Sequence, residues 1–213
     1  HLGGYGTCLI GIENRPISRL GHTSTDGPDQ FAAGTLYPQA SRKLARALNA
    51  ASGKRPVIVL ANLSGFDGSP ESLRDWQLEY GAEIGRAVTN FDGPITFVIL
   101  SRYHGGAYVV FSKALNPELT SVAVEGSYAS VIGGAPAAAV VFAGEVKKIS
   151  AQEGGTPEIE AEVTQRLAQK FDDIHSVQRA KDVGSIDDII SAKSIRPFLI
   201  SQLKGDYDKH QSS

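Results

Sequence analysis

Short runs of Val, Ile and Leu recur along this chain. Each is followed by a turn and then by a stretch whose apolar residues fall three and four apart, and that alternation points to a parallel sheet with crossover helices. Pro56 to Asn62 and Ile95 to Leu100 are continuous apolar runs of strand length, the pattern of strands buried on both faces. Tyr5 to Glu13 and Ser121 to Val124 are the flanking strand candidates. A helix from about Tyr37 to Ala51 places Leu44 and Leu48 on one face and stops near Gly53. The next opens with Ser69 as N-cap and Pro70 at its first position, and turns Leu73, Trp76, Tyr80, Ile84 and Val88 inward. Val109 to Lys113 and the small-residue run Ala137 to Lys148 complete the pattern as helices.

From Gly154 the chain reads as helix alone, a C-terminal extension over about 155–203. Thr156 and Pro157 start a helix with Ile159, Val163, Leu167 and Phe171 as its inner stripe, Ser185 is placed as the cap of another, and Ile195 to Leu203 reads as a docking helix. Lys204 to Ser213 is a polar tail expected to fray. The reading is one α/β domain over 1–213 with a helical extension.

Composition removes several functions. The 21 basic and 23 acidic residues leave a formal charge of −2 with no long run of one sign, so neither a nucleic-acid nor a membrane-surface footprint is present. No apolar stretch approaches the roughly 18 residues of a membrane span. The single Cys8 lies in an alternating apolar stretch and reads as core, which makes a cytoplasmic setting the default. His1, His22, His104, His175 and His210 lack Cys partners and metal-type spacing, so no metal is expected. There is no Gly-x-Ser-x-Gly elbow and no phosphate loop, which argues against a serine hydrolase and a nucleotide triphosphatase. The chain contains no Met and starts at His1 beside a strand candidate, so a piece of a longer polypeptide is expected.

Chemistry concentrates at Gly105-Gly106-Ala107, between a buried strand and a helix. Two glycines let the backbone approach a ligand, and the amides that open a helix have no partner within it. Such a turn can hold an oxyanion, although a tight packing turn would look the same. Ile132-Gly133-Gly134-Ala135-Pro136 is a second glycine turn that reads as wall, because Pro136 removes a donor. Asp67, in the loop after the strand at Pro56, reads as a turn-former rather than a base. At strand ends, Arg15 and Arg102 can hold a carboxylate or form surface ion pairs, and His104 can donate a hydrogen bond or simply be solvated.

In order and spacing, several segments resemble the C-terminal half of the carboxyltransferase component of acetyl-CoA and related acyl-CoA carboxylases. They are Leu2-Gly3-Gly4, Ile10 to Arg15, Gly34 to Pro38, Leu60 to Gly68, Gly105 to Tyr108, and Phe171 to His175. The resemblance runs from about Leu2 to Leu203. It implies a crotonase-like α/β fold of repeated ββα units and a biotin-facing domain. In that domain the amides of Gly106 and Ala107 are the catalytic donors to the ureido oxygen of biotin, with Gly105, Tyr108, Gly133 and Gly134 around the cofactor. Arg15, Arg102 and His104 would attract the transferred carboxylate. His104 stands where some relatives carry arginine, which implies weaker or pH-dependent attraction, while Arg15 matches an arginine of the family's Glu-Thr-Arg type motif, with Asn14 in place of threonine. The cofactor implied is carboxybiotin on a carrier domain, and a coenzyme A thioester is the substrate. The partners implied are an N-terminal carboxyltransferase half, a biotin carboxyl carrier domain and further copies in a homodimer or larger oligomer. The isolated half would be inactive. Two other readings stand beside this one: an enoyl-CoA hydratase or isomerase using Glu125, and a non-catalytic half that docks a biotin carrier.

Overall fold

The computed structural model describes residues 1–21 and 25–211, with backbone alone for 209–211. His22 and the end of the polar tail lie outside the described residues. In chain order the first elements are β1 (Cys8–Gly11), β2 (Ile17–Ser18), β3 (Gln30–Phe31), β4 (Thr35–Leu36) and α1 (Pro38–Ala51). Next come β5 (Val57–Leu63), β6 (Gly65–Phe66), α2 (Pro70–Arg74), α3 (Gln77–Thr89), β7 (Ile95–Tyr103) and α4 (Gly106–Val110). The remainder is β8 (Thr120–Val124), β9 (Tyr128–Ala129), α5 (Gly134–Pro136), α6 (Ala143–Glu153), α7 (Pro157–Ile174), α8 (Val177–Asp182), β10 (Asp188–Ile190) and α9 (Ile195–Gln211).

The main sheet is parallel in the order β1-β5-β7-β8-β10, with Cys8 opposite Val57, Val57 opposite Ile95 and Val98 opposite Val122. Both faces of the central strands are covered, which is why these runs carry no polar alternation. Val57, Val59, Phe97 and Ile99 face one core with Leu44 and Leu48 of α1 and Ile84 and Val88 of α3. Ile58, Val98 and Val122 face the other, closed by Leu199 and Leu203 of α9. A small second layer pairs β4 with β6 in parallel and stands over the carboxyl end of β7.

The structure departs from the sequence expectations in several places. The helix expected from Pro70 onward is two helices, broken at Trp76, whose φ of 69° is left-handed. Leu73 and Trp76 are exposed. The reason is register: the inner stripe of α3 is Gln77, Gly81, Ile84 and Val88, with Gln77 buried and donating to Ser41 Oγ at 3.0 Å. Ala137 to Lys148 is not one helix either. Ala137–Val141 forms a π turn, closed by Phe142 N–H donating to Ala137 O at 3.0 Å, before α6 begins. The C-terminal region is not helix alone. Ser185 caps no helix, and the chain beyond it supplies β10, which extends the main sheet beside β8. Of the stripe expected on α7, only Val163 is fully buried. The terminal helix runs on to Gln211, held where Tyr207 packs its ring 5.1 Å from Tyr5 and donates its hydroxyl to Gly6 O.

Candidate oxyanion site at the carboxyl end of the sheet

The site begins with an irregularity between β5 and β7. Ala61 stands opposite Ile99 and Leu63 opposite Tyr103, so the single residue Asn62 faces three residues of β7. The Asn62 side chain fills the break in the ladder. Its Oδ1 accepts from Arg102 N–H at 3.1 Å, and its Nδ2 donates to Oδ1 of Asn14, beyond β1. The ladder resumes with His104 N–H donating to Leu63 O at 2.9 Å, and the turn follows at once.

Gly105 adopts φ 67° and ψ −149°, a conformation open essentially to glycine alone. Its N–H donates to Val131 O at 2.8 Å, which brings the second glycine turn alongside the first. Gly106 and Ala107 open α4, where no intrahelical acceptor exists for their amides. No other group among the described residues accepts from either N–H. Gly106 is exposed and Ala107 fully buried. Phe66 of the upper layer lies over the turn: a Cβ on Gly106 would fall 2.5 Å from its ring, and one on Gly81 of α3 would meet the same ring at 3.4 Å. Two adjacent unclaimed donors under an apolar ring can stabilise charge that develops on an oxygen.

The other expected site residues fall into different surroundings. The Gly134 N–H donates to Asp172 Oδ1 at 2.7 Å. Gly133 faces the His104 ring, whose Cδ2 would lie 3.3 Å from a Cβ built there. His104 itself is buried, with Nδ1 3.1 Å from Ser130 Oγ. Burial pushes its pKa below the ordinary histidine range; the Ser130 carbonyl and Asp172 oppose that shift, and Arg102 and His175 add to it. The ring stands as a buried wall between the two turns. Tyr108 places its hydroxyl on Ser185 Oγ at 2.9 Å, and its ring packs on Tyr103.

Arg15 is exposed and pairs with Glu13, whose carboxyl is held below its usual range first by that hydrogen bond. Arg15 also lines a cleft of about 520 Å³ with Leu9, Ile12, Phe31, Thr35 and Tyr37, and the glycine turn is not among its walls. Arg102 is exposed, and its N–H is tied through Asn62 to Asn14, the residue before Arg15, at the carboxyl ends of β7 and β1. Asp67 accepts from Ser69 N–H and Oγ and so shapes its own turn. Glu125 is exposed past β8, with its N–H on Ile190 O, and no bond among the described residues ties it to the glycine turn. No group of three His, Cys, Asp or Glu side chains that could hold a metal gathers among the described residues, and no described helix is long and apolar enough to cross a membrane.

Sequence reasoning missed Asn62, Phe66 and the bond from Asp172. Asn62 and Phe66 stand in a segment already singled out, Leu60 to Gly68, and an asparagine closing a buried apolar strand was the available signal.

The carboxyl transferase domain model matches residues 1–213. Acetyl-CoA carboxylase dmxL1 of Cryptosporiopsis sp. (strain 8999) is 31% identical over 127 residues, and acetyl-CoA carboxylase of Schizosaccharomyces pombe 30% over 127. Each of these matches covers 55% of this chain but 6% of the relative. Among solved structures, the β subunit of P. aeruginosa geranyl-CoA carboxylase superposes with a TM-score of 0.72 at 21% identity, covering 97% of this chain and 35% of that one. The transcarboxylase 12S core superposes with a TM-score of 0.66 at 21% identity, over 80% of this chain and 31% of that one. The shared fold is crotonase-like.

Proposed function

Because this chain belongs to the carboxyl transferase domain family, we propose that it is the C-terminal, biotin-facing half of an acyl-CoA carboxyltransferase. The observation that supports this reading most directly is the pair of unclaimed amides at Gly106 and Ala107 where β7 ends. The turn suits a flat urea-like ring: Gly105 and Gly106 carry no Cβ, the donors lie side by side, and the Phe66 ring offers an apolar surface. Biotin, when bound on a carrier domain, supplies the carboxyl group for transfer.

In this reading the chain's own residues do the rest. Gly106 and Ala107 donate to an oxygen that gains negative charge during transfer, a contribution of about 3–4 kcal/mol for one such donor. Arg15 and Arg102, at the carboxyl ends of β1 and β7, attract the carboxylate. His104 stays neutral and braces the second turn. The coenzyme A thioester is held by an N-terminal carboxyltransferase half, and the product is of the malonyl-CoA type. The active assembly is a homodimer or larger oligomer with a biotin carboxyl carrier, and this half is inactive without the other. The compartment proposed is cytoplasmic, although relatives from several Saccharomyces cerevisiae strains are named mitochondrial.

The test is Ala107→Pro, which removes one donor in the first turn of α4 without breaking an intrahelical bond. Assayed with the N-terminal half and a biotinylated carrier, it should lose at least about a hundredfold in carboxyl transfer while keeping the far-ultraviolet dichroism of the parent. In the parent, free biotin should shift the Gly106 and Ala107 amide resonances. Unchanged transfer, or amides undisturbed by biotin, would remove the reading; transfer absent from the parent assembly would favour a half that only docks a carrier.

A further inference from the structure

We propose that Asn62 is a positioning residue that fixes the Arg102 and Gly105–Ala107 segment for carboxyl transfer, an inference that rests on the carboxyltransferase reading. Three observations meet at this side chain. The β5–β7 ladder is interrupted at Asn62 and nowhere else along that pair, with one residue of β5 opposite three of β7. The Asn62 side chain occupies the interruption from both sides, accepting from Arg102 N–H and donating to Asn14 Oδ1. Its own carbonyl lies close to Gly34, where an added Cβ would come within 2.5 Å of it, and Ser64 N–H donates to Gly34 O at 2.8 Å, so the chain on the other side of Asn62 is tied to the turn before β4.

The consequence for the site is geometric. The extra residues of β7 between Ile99 and Tyr103 form the offset that leads into His104, Gly105 and the free amides. Without a side chain to take the Arg102 N–H, that offset has one backbone anchor fewer. An amide bridge is suited to this place. Asparagine alone among side chains of its size presents one acceptor and one donor at fixed separation, here satisfying a main-chain N–H on one strand and a side chain beyond another. Leucine has the volume but neither bond. Aspartate keeps the acceptor, loses the donor, and sets a negative charge beside Arg102. Asn62 therefore acts on transfer through the segment it holds and need not touch substrate.

The experiment uses the complete carboxyltransferase, both halves with their carrier, and compares Asn62→Leu, Asn62→Asp and Asn14→Ala with the parent. Three readouts are taken: kcat and KM for the acyl-CoA, the thermal midpoint, and hydrogen exchange of the amides from Arg102 to Ala107. Asn62→Leu should lower kcat at least about tenfold, with the acyl-CoA KM within about twofold and faster exchange at Arg102. Asn62→Asp should restore slow exchange at Arg102 and recover part of kcat, and Asn14→Ala should have the smallest effect. The proposal is overturned by a kcat for Asn62→Leu within about twofold of the parent, by unchanged exchange at Arg102, or by activity that falls only as far as the folded fraction. Should Asn62→Leu not fold, Asn62→Ala, which removes the same acceptor without adding bulk, decides instead: exchange at Arg102 and kcat both as in the parent would contradict the anchor. A parent that transfers no carboxyl group would defeat the functional reading instead, while exchange at Arg102 would continue to test the anchor itself.

Discussion

Gly105 and Gly65 meet backbone to backbone: a Cβ placed on Gly105 would lie 3.1 Å from the Gly65 Cα. Both have positive φ, 67° and 132°, so a side chain at either is strained, and at Gly105 it would also press on the Gly65 backbone, whereas a Cβ at Gly65 would meet the Gly105 Cα at an ordinary 3.7 Å. Gly105→Ala should destabilise the fold by about 1–3 kcal/mol from backbone strain, toward the upper end because the contact is with main chain. Carboxyl transfer should fall further than stability does, since the displaced turn carries both free amides. Urea midpoints and transfer rates measured on the same preparation check this; a variant as stable and active as the parent would contradict the packing described.

His104 gives the stability a pH dependence of definite sign. Its folded pKa is depressed by burial, so below the ordinary histidine value of 6.5 the unfolded chain takes up a proton that the folded chain refuses. Stability is then full above that pH, is lost as pH falls through the folded pKa, and levels off beneath it. The groups around the ring act in both directions: Asp172 favours the proton, while Arg102 and His175 oppose it. His104→Gln should flatten the slope of the thermal midpoint below about pH 6.5, and an equal slope in parent and variant would assign it to another group.

Much of this fold was legible because its strands are buried on both faces. Val57–Leu63 and Ile95–Tyr103 announce themselves as apolar runs, and Gly105-Gly106 marks the turn that follows. What could not be read was decided by tertiary contact. Trp76 is a large apolar residue at helical spacing from Tyr80, yet the chain kinks there to seat Gln77 against Ser41. Asp188–Ile190 is too short to signal a strand until β8 is present to pair with it. The site divides the same way. The backbone donors follow from glycine and helix start, whereas Asn62 bridging two strands and His104 turning inward depend on neighbours remote in sequence.

Asp172 ties the helical extension to the second glycine turn. Its Oδ1 accepts the Gly134 N–H at 2.7 Å, and Gly134 is buried so closely that a Cβ there would stand 2.2 Å from Ala168 O. Asp172→Ala leaves that buried amide without a partner, a loss of about 1–3 kcal/mol, while Asp172→Asn keeps an acceptor and should cost less. Gly134→Ala strikes a helix carbonyl rather than a flexible side-chain end, so it should separate α7 from the turn and exceed both. Exchange of the Gly134 amide reads this directly, fast in Asp172→Ala and intermediate in Asp172→Asn. The His104 ring lies against Gly133 on the same turn, so loosening Asp172 should also raise the accessibility of His104. Its titration in Asp172→Ala should then move by two opposed amounts: upward as burial lessens, and downward as the nearby carboxylate is lost. The Gly134 amide decides the matter: exchange as slow in Asp172→Ala as in the parent would mean that the turn holds without Asp172 and would contradict the tie.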